Sequence, residues 1–159
     1  MNDLSKEDNF RDIVKIKKGS VLFHEGEKSS YLYIVAKGKV LLVKEDEDGI
    51  RSLGITGEKN FIGVLSMFND EKRYASAIAL EDTDVFMIKK SDIRKVLKDC
   101  PEWVTNIMVT LTDRLRDVDE LMREHRVVSS ELENDFELNN IEKKEMKDAL
   151  KEYRSRRGI

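Results

Sequence analysis

A mainly β domain followed by helices is the fold class this sequence predicts, and three observations predict it. Seven of the eight glycines stand at Gly19, Gly26, Gly38, Gly49, Gly54, Gly57 and Gly63, punctuating one stretch of the chain. Between and after them lie short apolar runs, Val21-Leu22-Phe23, Tyr31-Leu32-Tyr33-Ile34-Val35, Val40-Leu41-Leu42-Val43, Ile78-Ala79-Leu80 and Val85-Phe86-Met87-Ile88. Beyond Ile88 the glycines stop until Gly158, and apolar residues recur at helical spacing. Short β-branched and aromatic runs at this interval, bounded by turn residues, indicate an antiparallel barrel or sandwich.

Taken in order, residues 4–12 suit a short helix. In Glu47-Asp48-Gly49 the Asp-Gly pair suits a hairpin tip, because a tight turn needs a positive φ. Ser91-Asp92-Ile93-Arg94 reads as an N-cap and first turn. That helix must stop before Pro101, which itself suits the first turn of the next one. The next helix, over about 101–126, carries Val104, Met108, Leu111, Leu115, Val118 and Met122 at alternating spacings of four and three, with Ile107 and Leu121 beside them. Such a seam faces a second copy of the helix in a parallel coiled coil; the alternative is a helix packed on its own barrel. Glu131, Glu133, Asp135 and Glu137 then alternate with Leu132, Phe136 and Leu138 in an acidic stretch readable as linker, short strand or docking motif. Asn139-Asn140-Ile141-Glu142 has the form of a capping box. It opens a last helix with a stripe of Met146, Ala149, Leu150 and Tyr153 and a basic end at Arg154, Arg156 and Arg157.

Composition narrows the function. The chain has 159 residues, room for one domain and an appendage. Its formal charge of -3 argues against a general affinity for nucleic acid or anionic membrane. No apolar run approaches the roughly 20 residues that span a bilayer. The first residues lack a signal-peptide pattern, and the single Cys100 requires no oxidising compartment, so the cytoplasm is the expected location. His24, His125 and Cys100 are too scattered for a metal or nucleophile site. Gly26-Glu27-Lys28-Ser29 lacks the upstream glycine of a P-loop. Neither an enzyme nor a metal or haem protein is expected.

The informative stretch is Asn60-Phe61-Ile62-Gly63-Val64-Leu65-Ser66-Met67-Phe68, followed by Lys72-Arg73-Tyr74-Ala75-Ser76-Ala77. It reads as strand, tight turn, one helical turn, loop and strand. Free N–H groups of such a turn, with a guanidinium nearby, cradle an anion. The stretch resembles the phosphate-binding cassette of cyclic-nucleotide-binding domains, the sensor modules of catabolite activator proteins and of protein kinase A regulatory subunits. Their cassette runs Phe-Gly-Glu-Leu-Ala-Leu, or Phe-Ile-Gly-Glu-Leu, then Arg-Ser/Ala-Ala-Thr. Phe61, Gly63, Leu65, Arg73, Ala75 and Ser76 keep the pattern. The segments from Lys18 to Glu27, Tyr31 to Val40, Leu53 to Gly57 and Glu81 to Val85 are similar to the family's other hairpins in the same order.

The resemblance implies an eight-stranded antiparallel β-roll, a jelly-roll-like barrel over about 13–88, within a cyclic-nucleotide-binding-like domain over 1–128. A dimerisation helix over about 101–128 doubles as lid, and 129–159 form a C-terminal extension. It also implies a ligand pocket of Gly63, Val64, Leu65, Ser66, Arg73, Tyr74, Ala75 and Val118, in which Arg73 neutralises a cyclic phosphate. The alternative for Arg73 is a surface arginine paired with Asp70 or Glu71. Val64 stands where the family has the glutamate that accepts from the ribose hydroxyl, and Tyr74 where relatives carry a small residue. Val118 and Asp119 fall where some relatives read the base. These departures predict a dimeric regulatory module with lost or altered cyclic nucleotide binding, no resident cofactor, and a protein partner reached through the C-terminal extension. A working cyclic nucleotide sensor is the first alternative, with at most weak binding of a cyclic nucleotide or other small anion expected. A catabolite-activator-like regulator is the second, disfavoured because the residues after the long helix are too few for a winged helix-turn-helix; no DNA binding is expected.

Overall fold

The computed structural model describes residues 13–47, 49–68, 72–124 and 138–159. The helix expected over 4–12, Asp70, Glu71, His125 and the acidic stretch 131–137 lie outside the described residues, as does the side chain of Met122.

Eight strands form among the described residues: β1 (Ile13–Ile16), β2 (Val21–Phe23), β3 (Tyr31–Lys37), β4 (Val40–Asp46), β5 (Gly49–Thr56), β6 (Phe61–Ile62), β7 (Ser76–Ala79) and β8 (Thr83–Lys89). They pair antiparallel in two four-stranded sheets, β1-β8-β3-β6 and β2-β7-β4-β5. This is the β-roll expected from the sequence. Phe23, Tyr33, Val35, Val40, Ile62, Ala77, Ala79 and Val85 fill the space between the sheets. The hairpin β4–β5 closes at Asp46↔Gly49, with Gly49 at φ 128°. Further along, Leu42 pairs with Gly54 and Val43 with Ser52, so Leu53 is an extra residue in β5. Gly54, at φ 142°, permits that bulge.

The unbroken run Val40-Leu41-Leu42-Val43 has a physical cause. Side chains alternate between the faces of a strand, and here both faces are covered. Val40 belongs to the inner core. Leu41, Val43, Ile50 and Ile78 point outward, where Leu138 and Leu150 cover them. Leu150 belongs to α3 (Asn140–Arg157), so the C-terminal helix lies on the outer face of the second sheet.

Helix α3 is capped at both ends. Asn139 accepts from the amides of Ile141 and Glu142 while Glu142 accepts from the Asn139 amide, the expected capping box. Gly158, left-handed at φ 69°, closes the other end. Helix α1 (Lys90–Lys98) departs from expectation: its N-cap is Lys89, not Ser91. β8 runs into the helix without a loop, and the Lys90 amide still bonds to the Ser30 carbonyl, so the turn starts before the serine. Helix α2 (Glu102–Glu124) follows Pro101.

The two long faces of α2 differ. Thr112 is buried, and Thr105, Val109, Arg116 and Asp119 are half-buried, on the side that meets the cassette. Met108, Leu111, Leu115 and Val118 are exposed on the adjoining side, about 100° around the helix, Leu115 to 58%, with Ile107 and Leu121 beside them and Val104 half-buried. The apolar seam therefore faces away from the roll of its own chain.

Candidate ligand-binding site

Gly63 adopts φ 90° and ends β6, and the chain turns into a short 3₁₀ helix, Val64–Ser66. Ser66 anchors that turn from behind: its hydroxyl donates to Ser29 Oγ at 3.1 Å, and its carbonyl accepts from Lys90 Nζ at 3.1 Å. Val64 and Leu65 are half-buried, and Ala75 is buried at the start of the returning strand. The carbonyl of Leu65 accepts from Arg116 Nη2 at 2.9 Å, which ties α2 to the cassette.

Arg73 is 4% exposed, so it is no surface arginine. The Arg73 amide donates to the Glu27 carbonyl, and the Arg73 carbonyl accepts from the Gly26 amide, each at 2.8 Å. These bonds carry the side chain inward, where its guanidinium lies 4.0 Å from the Phe23 ring centroid and 5.5 Å from that of Tyr33. Nη2 donates to the Tyr31 carbonyl. Nη1 lies so close to Gly63 that a Cβ there would come within 2.1 Å of it. Among the described residues Nε and Nη1 are buried with no hydrogen-bond partner. Burial pushes the Arg73 pKa down from its usual value, against the opposing pull of Tyr33 and Glu27. Leaving buried guanidinium donors unmatched costs more than a neutral unmatched group. An anion placed at this point would offer these donors an acceptor.

Tyr74, next along, reaches across to α2 and donates its hydroxyl to Asp119. Lys44 Nζ sits 3.7 Å from the Tyr74 ring centroid and 3.5 Å from a Glu25 carboxylate oxygen; the Arg116 guanidinium is 5.7 Å from the same ring. Tyr74 is thus a strut between roll and long helix. Val118 stands elsewhere: it is 53% exposed on the outward face of α2, while its neighbour Asp119 meets Tyr74 beside the cassette. At 3.6 residues per turn, adjacent positions differ by about 100° around a helix, so the two cannot share a face.

The structure thus brings Gly63, Leu65, Arg73, Tyr74 and Asp119 together and adds Phe23, Lys44, Thr112 and Arg116, which the sequence reading did not single out. Thr112 and Arg116 carried a signal in hindsight, being four apart on the helix face adjoining the seam. A second set of contacts links the site to α3. Tyr153 donates to Glu27 Oε2 at 3.0 Å, and Arg154 pairs with Glu45 beside His24. Burial and the Glu27 carboxylate push the Tyr153 phenol up to about 12. No group of His, Cys, Asp or Glu among the described residues could hold a metal ion. Nor is any described helix long and apolar enough to cross a membrane.

Comparison with known proteins agrees with this geometry. The family model for the cyclic nucleotide-binding domain matches residues 13–100. The chain is 32% identical over 103 residues to the Cyclic AMP receptor protein of Thermus thermophilus, covering 64% of this chain and 48% of that protein. It is 28% identical over 109 residues to Lysophospholipase nte1 of Aspergillus oryzae, covering 68% of this chain but 7% of the lysophospholipase. Among solved structures, the Thermus thermophilus Catabolite Activator Protein superposes with a TM-score of 0.59 at 28% identity, over 74% of this chain and 55% of that one. The cAMP-bound EAL enzyme Bd1971 gives 0.62 at 28% identity, over 73% and 32%. The chain belongs to the cyclic nucleotide-binding domain family. It spans about half the length of the Thermus receptor it matches, and a far smaller share of the lysophospholipase.

A single methyl group tests the contact between Gly63 and Arg73. Gly63→Ala forces a left-handed φ on a side-chain-bearing residue, about 1–2 kcal/mol, and drives its Cβ against the Arg73 guanidinium. The expected result is a loss of about 2–4 kcal/mol in urea unfolding, the extra coming from displaced stacking on Phe23. An unchanged midpoint would show that Arg73 does not press on the turn.

Proposed function

We propose that this chain is a dimeric regulatory module derived from a cyclic nucleotide sensor, acting through protein–protein contacts rather than catalysis, with its pocket altered so that cyclic AMP binds weakly. The observation that carries this reading is the division of labour on α2. One face, through Arg116 and Asp119, grips the cassette and Tyr74. The other, through Met108, Leu111, Leu115 and Val118, is an exposed apolar seam. Together with Val104 and Met122 its spacing of four and three suits a parallel pair of helices, so the occupant of the seam is a second copy of this chain. Events in the pocket then reach the dimer through a single rigid helix.

Weak cyclic AMP binding rests on Val64, which cannot accept a hydrogen bond where relatives carry glutamate, and on Tyr74, which bridges to Asp119. Gly63, Leu65, Ser66, Arg73 and Ala75 keep the anion cradle. The buried, unmatched donors of Arg73 favour a second reading, a sensor that still takes an anionic ligand. Residues 129–159 form the extension that meets a partner protein, from the side of α3 turned away from the roll. The cytoplasm is the proposed location.

The dimer is tested by light scattering. Leu115→Glu sets two like charges against each other in the seam and should yield monomers while circular dichroism stays unchanged. A wild-type monomer, or a mutant that stays dimeric, would refute pairing through α2.

A further inference from the structure

The pocket side of the roll carries a second arginine whose charge the single-phosphate cradle leaves unanswered. Arg51 lies on β5, directly opposite Lys44 on β4. Their neighbours Ile50 and Glu45 face outward, Ile50 into the apolar cluster under α3 and Glu45 onto Arg154 of α3. Strand alternation therefore turns Lys44 and Arg51 to the inner side, where Lys44 covers the Tyr74 ring. Among the described residues, Arg51 Nε and Nη2 are buried without a hydrogen-bond partner, as are Nε and Nη1 of Arg73.

The protein's own acids on this side are already engaged. Glu25 pairs with Lys44, Asp119 accepts from Tyr74, and Glu27 accepts from Tyr153 and the His24 amide. Two guanidinium groups, one on β5 and one in the connection before β7, thus each present unmatched donors. Arginine's rigid fork suits phosphate oxygens, and buried charge-assisted bonds of this kind are the strong ones. A cyclic mononucleotide carries one phosphate charge, and the cradle at Gly63 seats it beside Arg73.

We propose that the pocket takes a ligand with two phosphate groups, one held by Arg73 beside Gly63 and the other by Arg51 and Lys44. This inference rests on the altered-pocket reading above and gives its ligand class. It also gives Val64 a role: without a carboxylate there, the pocket does not repel the added negative charge. Arg51 becomes the residue that sets specificity between one phosphate and two.

Isothermal titration calorimetry on the full chain tests this with four probes: cyclic AMP, adenosine diphosphate, cyclic di-GMP and inorganic pyrophosphate. At least one two-phosphate probe should bind about tenfold or more tightly than cyclic AMP, since one added charge-assisted contact is worth that much. A preference for the linear or the cyclic probe identifies the source of the second phosphate, and either supports the proposal. Arg51→Met should erase the margin while changing cyclic AMP affinity by less than about threefold, and Arg51→Lys should restore part of it. Arg73→Met should weaken every probe. Thermal melts of each variant confirm that it is folded, and ligand-induced shifts provide a second readout. The proposal is overturned if Arg51→Met leaves two-phosphate binding unchanged, or if folded wild-type protein binds no two-phosphate probe more tightly than cyclic AMP. Tight cyclic AMP binding would instead refute the weakened pocket itself, so the two failures are distinguishable.

Discussion

Leu150→Glu is expected to lower the melting temperature by about 6–12 °C. Leu150 has no exposed surface and lies in the cluster of Leu41, Val43, Ile50 and Ile78. Removing such a side chain costs about 2–5 kcal/mol, and a carboxylate in its place adds a desolvation penalty. The chain can escape the second cost by releasing α3, so the loss is bounded by what holds the helix down. That includes burial of Leu138 and Tyr153, the Tyr153–Glu27 bond and the Arg154–Glu45 pair. About 3 kcal/mol is then the reasonable scale, and at about 2–4 °C per kcal/mol for a chain of this size the shift follows. Amide exchange should be faster throughout α3 and along β4, with the strands of the first sheet unchanged. Leu150→Met, which keeps volume and polarity, should cost less than about 1.5 kcal/mol. A melting temperature for Leu150→Glu within about 2 °C of wild type would show that α3 does not rest on the roll.

That α3 covers the second sheet was written in the sequence without being readable as such. The runs Val40-Leu41-Leu42-Val43 and Ala77-Ile78-Ala79 lack the polar alternation of a strand with one wet face. Such a run says that both faces are buried, not which segment covers them. The stripe Met146, Ala149, Leu150 and Tyr153 was legible as a helix face, and its capping box gave its start, because both are local. Strands β2, β3, β4, β7 and β8 were legible as short apolar runs and the cassette by its residues, while the number eight came with the resemblance. β5 was the least visible strand although it is the longest, because Gly54 and the extra Leu53 interrupt its alternation.

What local pattern cannot supply is direction. Val118 and Asp119 are neighbours in sequence, and only the docking of α2 through Thr112 and Arg116 decides that Asp119 meets Tyr74. The outward turn of Ile50 and Glu45 is what puts Arg51 and Lys44 on the inner side. Burial of Arg73 against Phe23 likewise depends on strands far apart in the chain.

Val64→Glu tests the other large effect, on cyclic AMP affinity, and is best read in a cycle with Tyr74→Ser. The glutamate restores an acceptor for a ribose hydroxyl that otherwise goes unpaired on binding, worth about 1–3 kcal/mol, or about fivefold to a hundredfold in affinity. If the absent acceptor is the main defect, Val64→Glu alone gains most of this, and Tyr74→Ser adds little. The strut from Tyr74 to Asp119 argues for the other outcome. The phenol ties the start of β7 to α2 over the pocket, under Lys44, and a ligand entering there must displace it. Tyr74→Ser cuts the strut and frees both Asp119 and the space. Each single mutant is then expected to gain less than about threefold, and the double mutant more than the product of the two, because residues sharing one pocket couple. Calorimetry on the four proteins with cyclic AMP separates the cases. Additive gains would mean that acceptor and strut act independently. An inert double mutant, still folded by circular dichroism, would mean that the pocket excludes the cyclic monophosphate for a reason lying in neither residue.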